Sequence, residues 1–247
     1  MSPTTHFDNL SALKPYIDNN GLVNYEKLKK DKWLVDQVQY LKTADLQSMN
    51  QNEEFAFWLN AYNILTIKGV YKELERNPNW KGNLSFISKI RFFLRRFNVA
   101  GKNINLRDLE NKILRKRFKD PRIHFAINCA SKSCPNLPDR LFDPETLDKY
   151  LDSLTISFIN DKDHVFFDTE KNILHLNPIF KWYAKDFEIQ GGVKRFILNY
   201  LQDTGNSIVD LYKRAKIEYI RYDWSINAQK KVLYSEKLLK IDLPSKN

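Results

Sequence analysis

Glu53-Glu54-Phe55-Ala56-Phe57-Trp58-Leu59-Asn60-Ala61-Tyr62-Asn63-Ile64-Leu65-Thr66-Ile67-Lys68-Gly69-Val70-Tyr71 is the stretch on which the fold turns. Wound as a helix, it carries Phe55, Phe57, Trp58, Leu59, Tyr62, Ile64, Leu65 and Ile67 on every side. A helix that is apolar all round is a central one, enclosed by the rest of the domain. Asn60 and Asn63 lie three apart, on one face, and amides in such surroundings need partners. They either pin the core or line a pocket as substrate-binding groups. Asn77-Pro78-Asn79 then breaks the chain.

Working outward, the segment near Asn9 to Lys42 reads as short helices with a turn at Asn19-Asn20-Gly21. Phe86 to Phe97 is basic and aromatic, and Val99-Ala100-Gly101-Lys102 is a turn between short strands. Asn105 is placed to cap an amphipathic helix running to about Phe118, which Asp120-Pro121 ends. Ile123 to Cys129 predicts a strand and Ala130 to Pro138 a loop. Asp143-Pro144-Glu145 opens a helix reaching about Ile159, with Asp143 as cap and Pro144 at the first helical position. Val165 to Phe167 and Asn172 to Leu176 form a hairpin around Asp168 to Lys171. Short helices at Pro178–Lys185 and Lys194–Gln202 precede a last strand, Ile217 to Tyr222. This order predicts an α+β fold: one helix-rich globular domain over residues 1–229 with a small antiparallel sheet, then a Lys-rich C-terminal tail over 230–247.

Composition agrees with one large core. Of 247 residues, 43% are hydrophobic, and 16 Phe, 12 Tyr and 5 Trp supply large apolar area. No stretch is apolar enough to span a membrane; the richest, Phe55 to Val70, holds Asn60, Asn63 and Lys68. Met1 to Phe7 is short and polar, so the chain as written reads as a soluble cytoplasmic protein, or an extracytoplasmic one if a leader has been removed. The net charge of +10 is concentrated between Lys89 and Arg122, where twelve cations face only Asp108, Glu110 and Asp120. Such a segment is either a solvated face or an attractor of anions. No nucleic-acid motif accompanies it, so a nucleic-acid partner is not favoured. The oligomeric state is not legible.

The chemistry-bearing residues cluster. Glu110 is bracketed by Leu106, Leu109, Ile113 and Leu114, inside the apolar stripe of its helix. A carboxylate there either pairs with an arginine such as Arg115 or orients a histidine. Strand alternation puts His124, Ala126 and Asn128 on one face, with Cys129 at the strand's end. Thiol, imidazole and carboxylate are the three types a nucleophilic cysteine needs. Taken singly, a buried His or Cys is more often plain core. Cys129 and Cys134, the two cysteines, are spaced C-x4-C; a local disulfide is geometrically open, whereas structural zinc lacks a fourth ligand, so no metal and no cofactor are assigned. Ser131 and Ser133 sit in the loop between them, which offers an anion-binding nest if it is more than a connection. Trp182-containing Phe180 to Tyr183 and Tyr222 to Asn227 are aromatic clusters that serve as packing or line a site.

Through these motifs the chain resembles the family known as domain of unknown function 547, from about Phe7 to Asn227. The resemblance is carried by Gly21 to Tyr25, Phe55 to Asn63, Asn105 to Arg115, His124 to Ser131, Ser133-Cys134-Pro135, Ile179 to Tyr183 with Asp186-Phe187, and Tyr222 to Asn227. It implies a likeness to papain-like cysteine hydrolases of small peptides such as glutathione, with a Glu-His-Cys set falling on Glu110, His124 and either Cys129 or Cys134. Asn111 departs from the family, which often has His there.

The resulting expectation is a cysteine-dependent hydrolase of a small anionic, peptide-like amide, glutathione or a related γ-glutamyl or acidic peptide. Cys129 is its nucleophile, His124 its base and Glu110 the orienting group, with Cys134 the second choice of nucleophile. Asn60, Asn63, Ser131, Ser133, Trp182 and Tyr183 are the expected substrate-binding residues. The alternative is a non-catalytic binding module whose basic face takes an acidic partner.

Overall fold

Two short helices, α1 (Tyr25–Lys29) and α2 (Lys32–Thr43), lead into the central helix α3 (Gln51–Arg76). Asn50 starts α3 by accepting from the Asn52 and Glu53 amides, while Glu53 returns a bond to the Asn50 amide. Every residue from Glu54 to Ile67 is buried, as a helix apolar on all sides requires. This computed structural model describes residues 12–29, 31–202 and 206–229. The Lys-rich tail read at 230–247 lies outside the described residues.

Helix α4 (Phe86–Phe93) follows, then the hairpin β1 (Arg96–Val99) and β2 (Lys102–Asn105). Its two-residue turn has Ala100 and Gly101 both at positive φ, the conformation that matches strand twist. Asn105 caps the next helix as expected, accepting from the Asp108 amide. That helix begins as one α turn, α5 (Leu106–Asp108), and continues as a π-helix over Leu109–Phe118. Wide π turns are uncommon and concentrate at functional sites.

The expected strand Ile123–Cys129 is instead a helical turn, α6 (Ile123–Ala126), followed by extended chain. Asp120 accepts from the Arg122 amide, and the Ile123 and His124 amides close onto Asp120 and Pro121. The run Ile123 to Asn128 is buried throughout, so hydrophobicity does not separate strand from helix there. The next helix, α7 (Leu147–Ile159), starts after Thr146, later than expected; Asp143 closes only the turn before it, accepting from the Glu145 amide.

Strands β3 (Val165–Asp168) and β4 (Ile173–Leu176) form the expected antiparallel hairpin. After α8 (Ile179–Trp182), a 3-10 helix over Ala184–Gln190, α9 (Val193–Tyr200) and α10 (Asn206–Arg214), β5 (Lys216–Tyr219) pairs parallel with β4. The larger sheet is therefore mixed, because β5 returns to β4 through helices. Among the described residues, 53% helix and two small sheets make the class α+β.

Two apolar clusters fill the interior. One surrounds α3; the other is a group of phenylalanines including Phe125, Phe158, Phe180, Phe187 and Phe196. Helix α6 sits at their seam, with Ile123 and Ala126 in the first cluster and Phe125 in the second. His124 is thereby held between two cores, 3% exposed.

The segment after β5 stitches the molecule together. Ile226 donates to Lys81 O, Lys132 and Ser133 donate to Ser225 O and Asp223 O, and Val23 donates to Asn227 O. Gly82 makes the close approach possible: at φ +110°, a Cβ on it would lie 2.4 Å from the Ile226 nitrogen. Gly82→Ala is therefore expected to destabilise the fold by about 2–4 kcal/mol, through backbone overlap and a disfavoured φ. Urea unfolding measures this, and a wild-type midpoint would contradict the stitched arrangement.

Candidate functional site

Buried amides hold the cysteine loop. Asn63 Nδ2 donates to Ala126 O at 3.0 Å, and its Oδ1 accepts from the Asn128 amide at 2.9 Å. Asn128 in turn donates to Pro135 O and accepts from the Ala130 amide and Asn227. Asn60 bonds both backbone groups of Phe142. Of the two expectations for Asn60 and Asn63, these bonds realise the pinning one; neither side chain faces the cleft described below.

Within this frame Cys129 is half-buried and Cys134 buried, both as free thiols. Cys134 Sγ donates to Cys129 Sγ at 2.6 Å. Ser131 Oγ lies 3.0 Å and the Tyr222 hydroxyl 3.3 Å from Cys129 Sγ. Burial alone pushes the Cys129 thiol up, but the bonds from Cys134, Ser131 and Tyr222 outweigh it and bring the group below the ordinary cysteine value. Cys134 goes the other way: burial first, then its bond to Cys129 and the charge there, raise it well above that value. Ser133 faces elsewhere; its hydroxyl accepts from the Asp223 amide.

His124 does not meet Glu110. Its Nε2 lies 2.7 Å from Asp186 Oδ2, and Arg115 grips the same carboxylate with Nε and Nη2 at 2.6 and 2.9 Å. Burial would raise Asp186, but bonds to His124 and Arg115 prevail and hold it far below the usual carboxylate range. Glu110 accepts from the Tyr183 hydroxyl at 2.5 Å, with Tyr62 more distant at 3.4 Å. The Arg115 partner considered for Glu110 is thus taken by Asp186. Tyr183 ties the groups together: its ring stacks on His124 at 4.0 Å and carries the Arg115 guanidinium 4.7 Å from its centre. Arg115 and Glu110 reach this ring from a single π-helix, where residues five apart are neighbours. No hydrogen bond joins the His124 ring to either thiol.

Glu110, His124, Tyr183, Tyr222 and both cysteines border one open cleft of about 460 Å³, counted out to bulk solvent, whereas Arg115 and Asp186 border a separate one. Trp182, Tyr183, Tyr222 and Trp224 give the lining of the first its aromatic character. Of the expected substrate-binding residues, Trp182 and Tyr183 face the cleft, and Ser131 reaches it through Cys129 and Tyr222. Lys89 lies beside this aromatic lining, its ammonium 3.7 Å from the Trp224 ring centre. Much of the basic segment points elsewhere: Arg91 and Arg95 bind buried Glu73, Arg117 binds Glu54, and Arg122 binds Asp120, Asp148 and Asp152. Asp186 was not singled out from sequence as a site residue, and Tyr222 only as part of an aromatic cluster. Both fall in family-like motifs, yet no spacing ties them to residues 62 and 93 positions away.

Among the described residues no group of three or more His, Cys, Asp or Glu side chains could hold a metal ion, and no helix is long and apolar enough to cross a membrane. Residues 46–159 match the family described as protein of unknown function, DUF547, and the chain carries a domain of that family over this span. The match contains both cysteines, His124 and Glu110 but stops short of Asp186 and Tyr222. No curated protein and no solved structure matches the chain.

Two outcomes follow from the electrostatics. Iodoacetamide should alkylate Cys129 first, with an apparent pKa below the ordinary cysteine value of about 8.5, and Tyr222→Phe should move that pKa upward. Mass spectrometry of the labelled peptide across pH reads both; preferential labelling of Cys134 would contradict the assignment. Asp186, depressed in the folded state, contributes stability that is present above its unfolded value of about 3.9 and is lost as pH falls through the folded value. Asp186→Asn should therefore lower stability at neutral pH and flatten its decline below about pH 4, as followed by urea unfolding.

Proposed function

We propose that the protein is a cysteine-dependent hydrolase of a small, anionic, peptide-like amide. The observation that carries this reading is a half-buried Cys129 thiol, supported by three hydrogen-bonding groups, in a cleft also lined by a carboxylate-bound histidine. Cys129, its proton passed to His124 by way of solvent in the cleft, attacks the substrate carbonyl as a thiolate and forms a tetrahedral intermediate. Collapse breaks the C–N bond, and the leaving nitrogen takes its proton from His124. Water, giving its proton to His124, then hydrolyses the thioester. His124 and Cys129 act across the cleft, with the substrate's reacting atoms between them; catalytic hydrogen bonds commonly tighten only once substrate is bound.

In this reading Asp186 rather than Glu110 orients the imidazole, and Arg115 fixes Asp186. Glu110 holds Tyr183, and through it the ring stacked on His124, which makes it a positioning residue. Any papain-like character lies in the thiol, imidazole and carboxylate chemistry. Lys89 beside the aromatic lining supports an anionic substrate, for which glutathione and related γ-glutamyl peptides are the first candidates.

The test is hydrolysis of glutathione and of short acidic peptides by the wild type and its variants. Cys129→Ser should abolish turnover, and His124→Ala should reduce it by about 100-fold or more while the protein stays folded. Because Lys89 acts over a distance, kcat/KM on an anionic substrate should fall as salt is raised. Turnover that survives Cys129→Ser removes the cysteine-dependent reading, and absence of turnover by the wild type favours a binding module.

A further inference from the structure

The second thiol is unused in hydrolysis, yet it is the nearest neighbour of the first. Cys134 Sγ lies 2.6 Å from Cys129 Sγ, and the Cys129 amide donates to Cys134 Sγ at 3.0 Å. The four residues between them are fixed from both sides. Ala130 adopts positive φ, the Cys134 amide closes on Ser131 O, and the Lys132 and Ser133 amides bind Ser225 O and Asp223 O. Asn177 donates to Ser133 O at 2.9 Å. The loop therefore already brings both sulfurs together without strain from a long closure. Access is unequal: Cys129 is half-buried, whereas Cys134 is only 6% exposed. An accessible sulfur backed by a shielded one is the arrangement of an attacking and a resolving thiol.

We propose that Cys129 and Cys134 form a thiol–disulfide exchange centre that reduces a small, anionic, aromatic disulfide bound in the cleft. The proposal rests on the reading of Cys129 as nucleophile. In the first step the Cys129 thiolate attacks one sulfur of the small disulfide. The bond between the two substrate sulfurs breaks, one thiolate leaves and takes a proton from solvent, and a mixed disulfide remains on Cys129. In the second step Cys134 gives up its proton to the departing substrate sulfur and attacks Cys129 Sγ. The mixed disulfide breaks, the second small thiol leaves, and Cys129 and Cys134 are joined. Two protein thiols are oxidised and one small disulfide is reduced. An external thiol, by two exchanges in the reverse sense, restores the pair.

The substrate class follows from the lining. Trp182, Tyr222 and Trp224 offer flat apolar surfaces to an aromatic ring, and Lys89, its ammonium over the Trp224 ring, supplies a positive charge beside them. The order of steps is also built in. While Cys129 is a thiolate, its charge adds to burial in holding the Cys134 proton. Once Cys129 is in a mixed disulfide that charge is gone, and burial is the main influence still holding the Cys134 proton.

The experiment uses the reduced full chain and 5,5′-dithiobis(2-nitrobenzoate), a dianionic aromatic disulfide. The wild type should release two thiols per chain, end without adduct and be lighter by two hydrogens. Cys134→Ser should release one and keep the mixed disulfide on Cys129, identified by peptide mass. Cys129→Ser should react at least about tenfold more slowly, since its remaining thiol is shielded. A wild type that ends carrying adducts, or whose first adduct forms on Cys134, overturns the proposal. Failure of the hydrolase reading is separate: it appears as no amide turnover while exchange proceeds. Failure of exchange appears as persistent adduct on the treated protein while the untreated protein cleaves amides.

Discussion

The Asn63 side chain donates to one end of a short extended segment, at Ala126 O, and accepts from its other end, at the Asn128 amide. This pair of bonds joins the central helix to the stretch that carries His124 on one side and Cys129 on the other. Each bond contributes only about 1 kcal/mol net, but unmet buried groups would cost about 1–3 kcal/mol apiece. Asn128 extends the constraint to Pro135, Ala130 and Asn227, and Asn227 accepts from the Tyr25 hydroxyl. Amides suit this work: each offers donor and acceptor in one plane and carries no charge to be desolvated. The thiols are positioned by a neutral polar lattice set inside an apolar core.

Charge is treated differently. Glu73 has no exposed side-chain surface and takes Arg76, Arg91 and Arg95, of which the last two hold its carboxyl below the usual range against the effect of burial. Arg115 spans Asp186, and Arg122 gathers three aspartates. A segment that reads as one basic face in the chain is thus divided among separate ion pairs in space. What lies beside the cleft lining from it is Lys89, at Trp224, rather than the summed charge of twelve cations.

The central helix was legible because its apolar residues leave no polar face, and the β1–β2 turn because Ala100-Gly101 sits between short strands. Asn105 was legible as a cap for the same local reason. Local patterns failed at Ile123 to Cys129. That segment is enclosed by two apolar clusters and has no strand beside it, so burial imposes hydrophobicity without imposing a period. The types needed at the site were visible as Glu110, His124, Cys129 and Cys134. The pairing of His124 with Asp186 was not, because contacts between distant segments leave no spacing in the sequence.

The final described segment supplies Tyr222 and Trp224 to the cleft, while the segment that ends with Asn227 and Gln229 binds back to Val23 near the other end of the chain. During synthesis, the cysteine loop leaves the ribosome long before the phenol that lowers the Cys129 thiol's proton affinity. A nascent chain carrying Cys129 but not Tyr222 holds a Cys129 sulfur that is less acidic than that of the finished protein. The lowered proton affinity of the Cys129 thiol thereby waits on a segment translated 93 residues later.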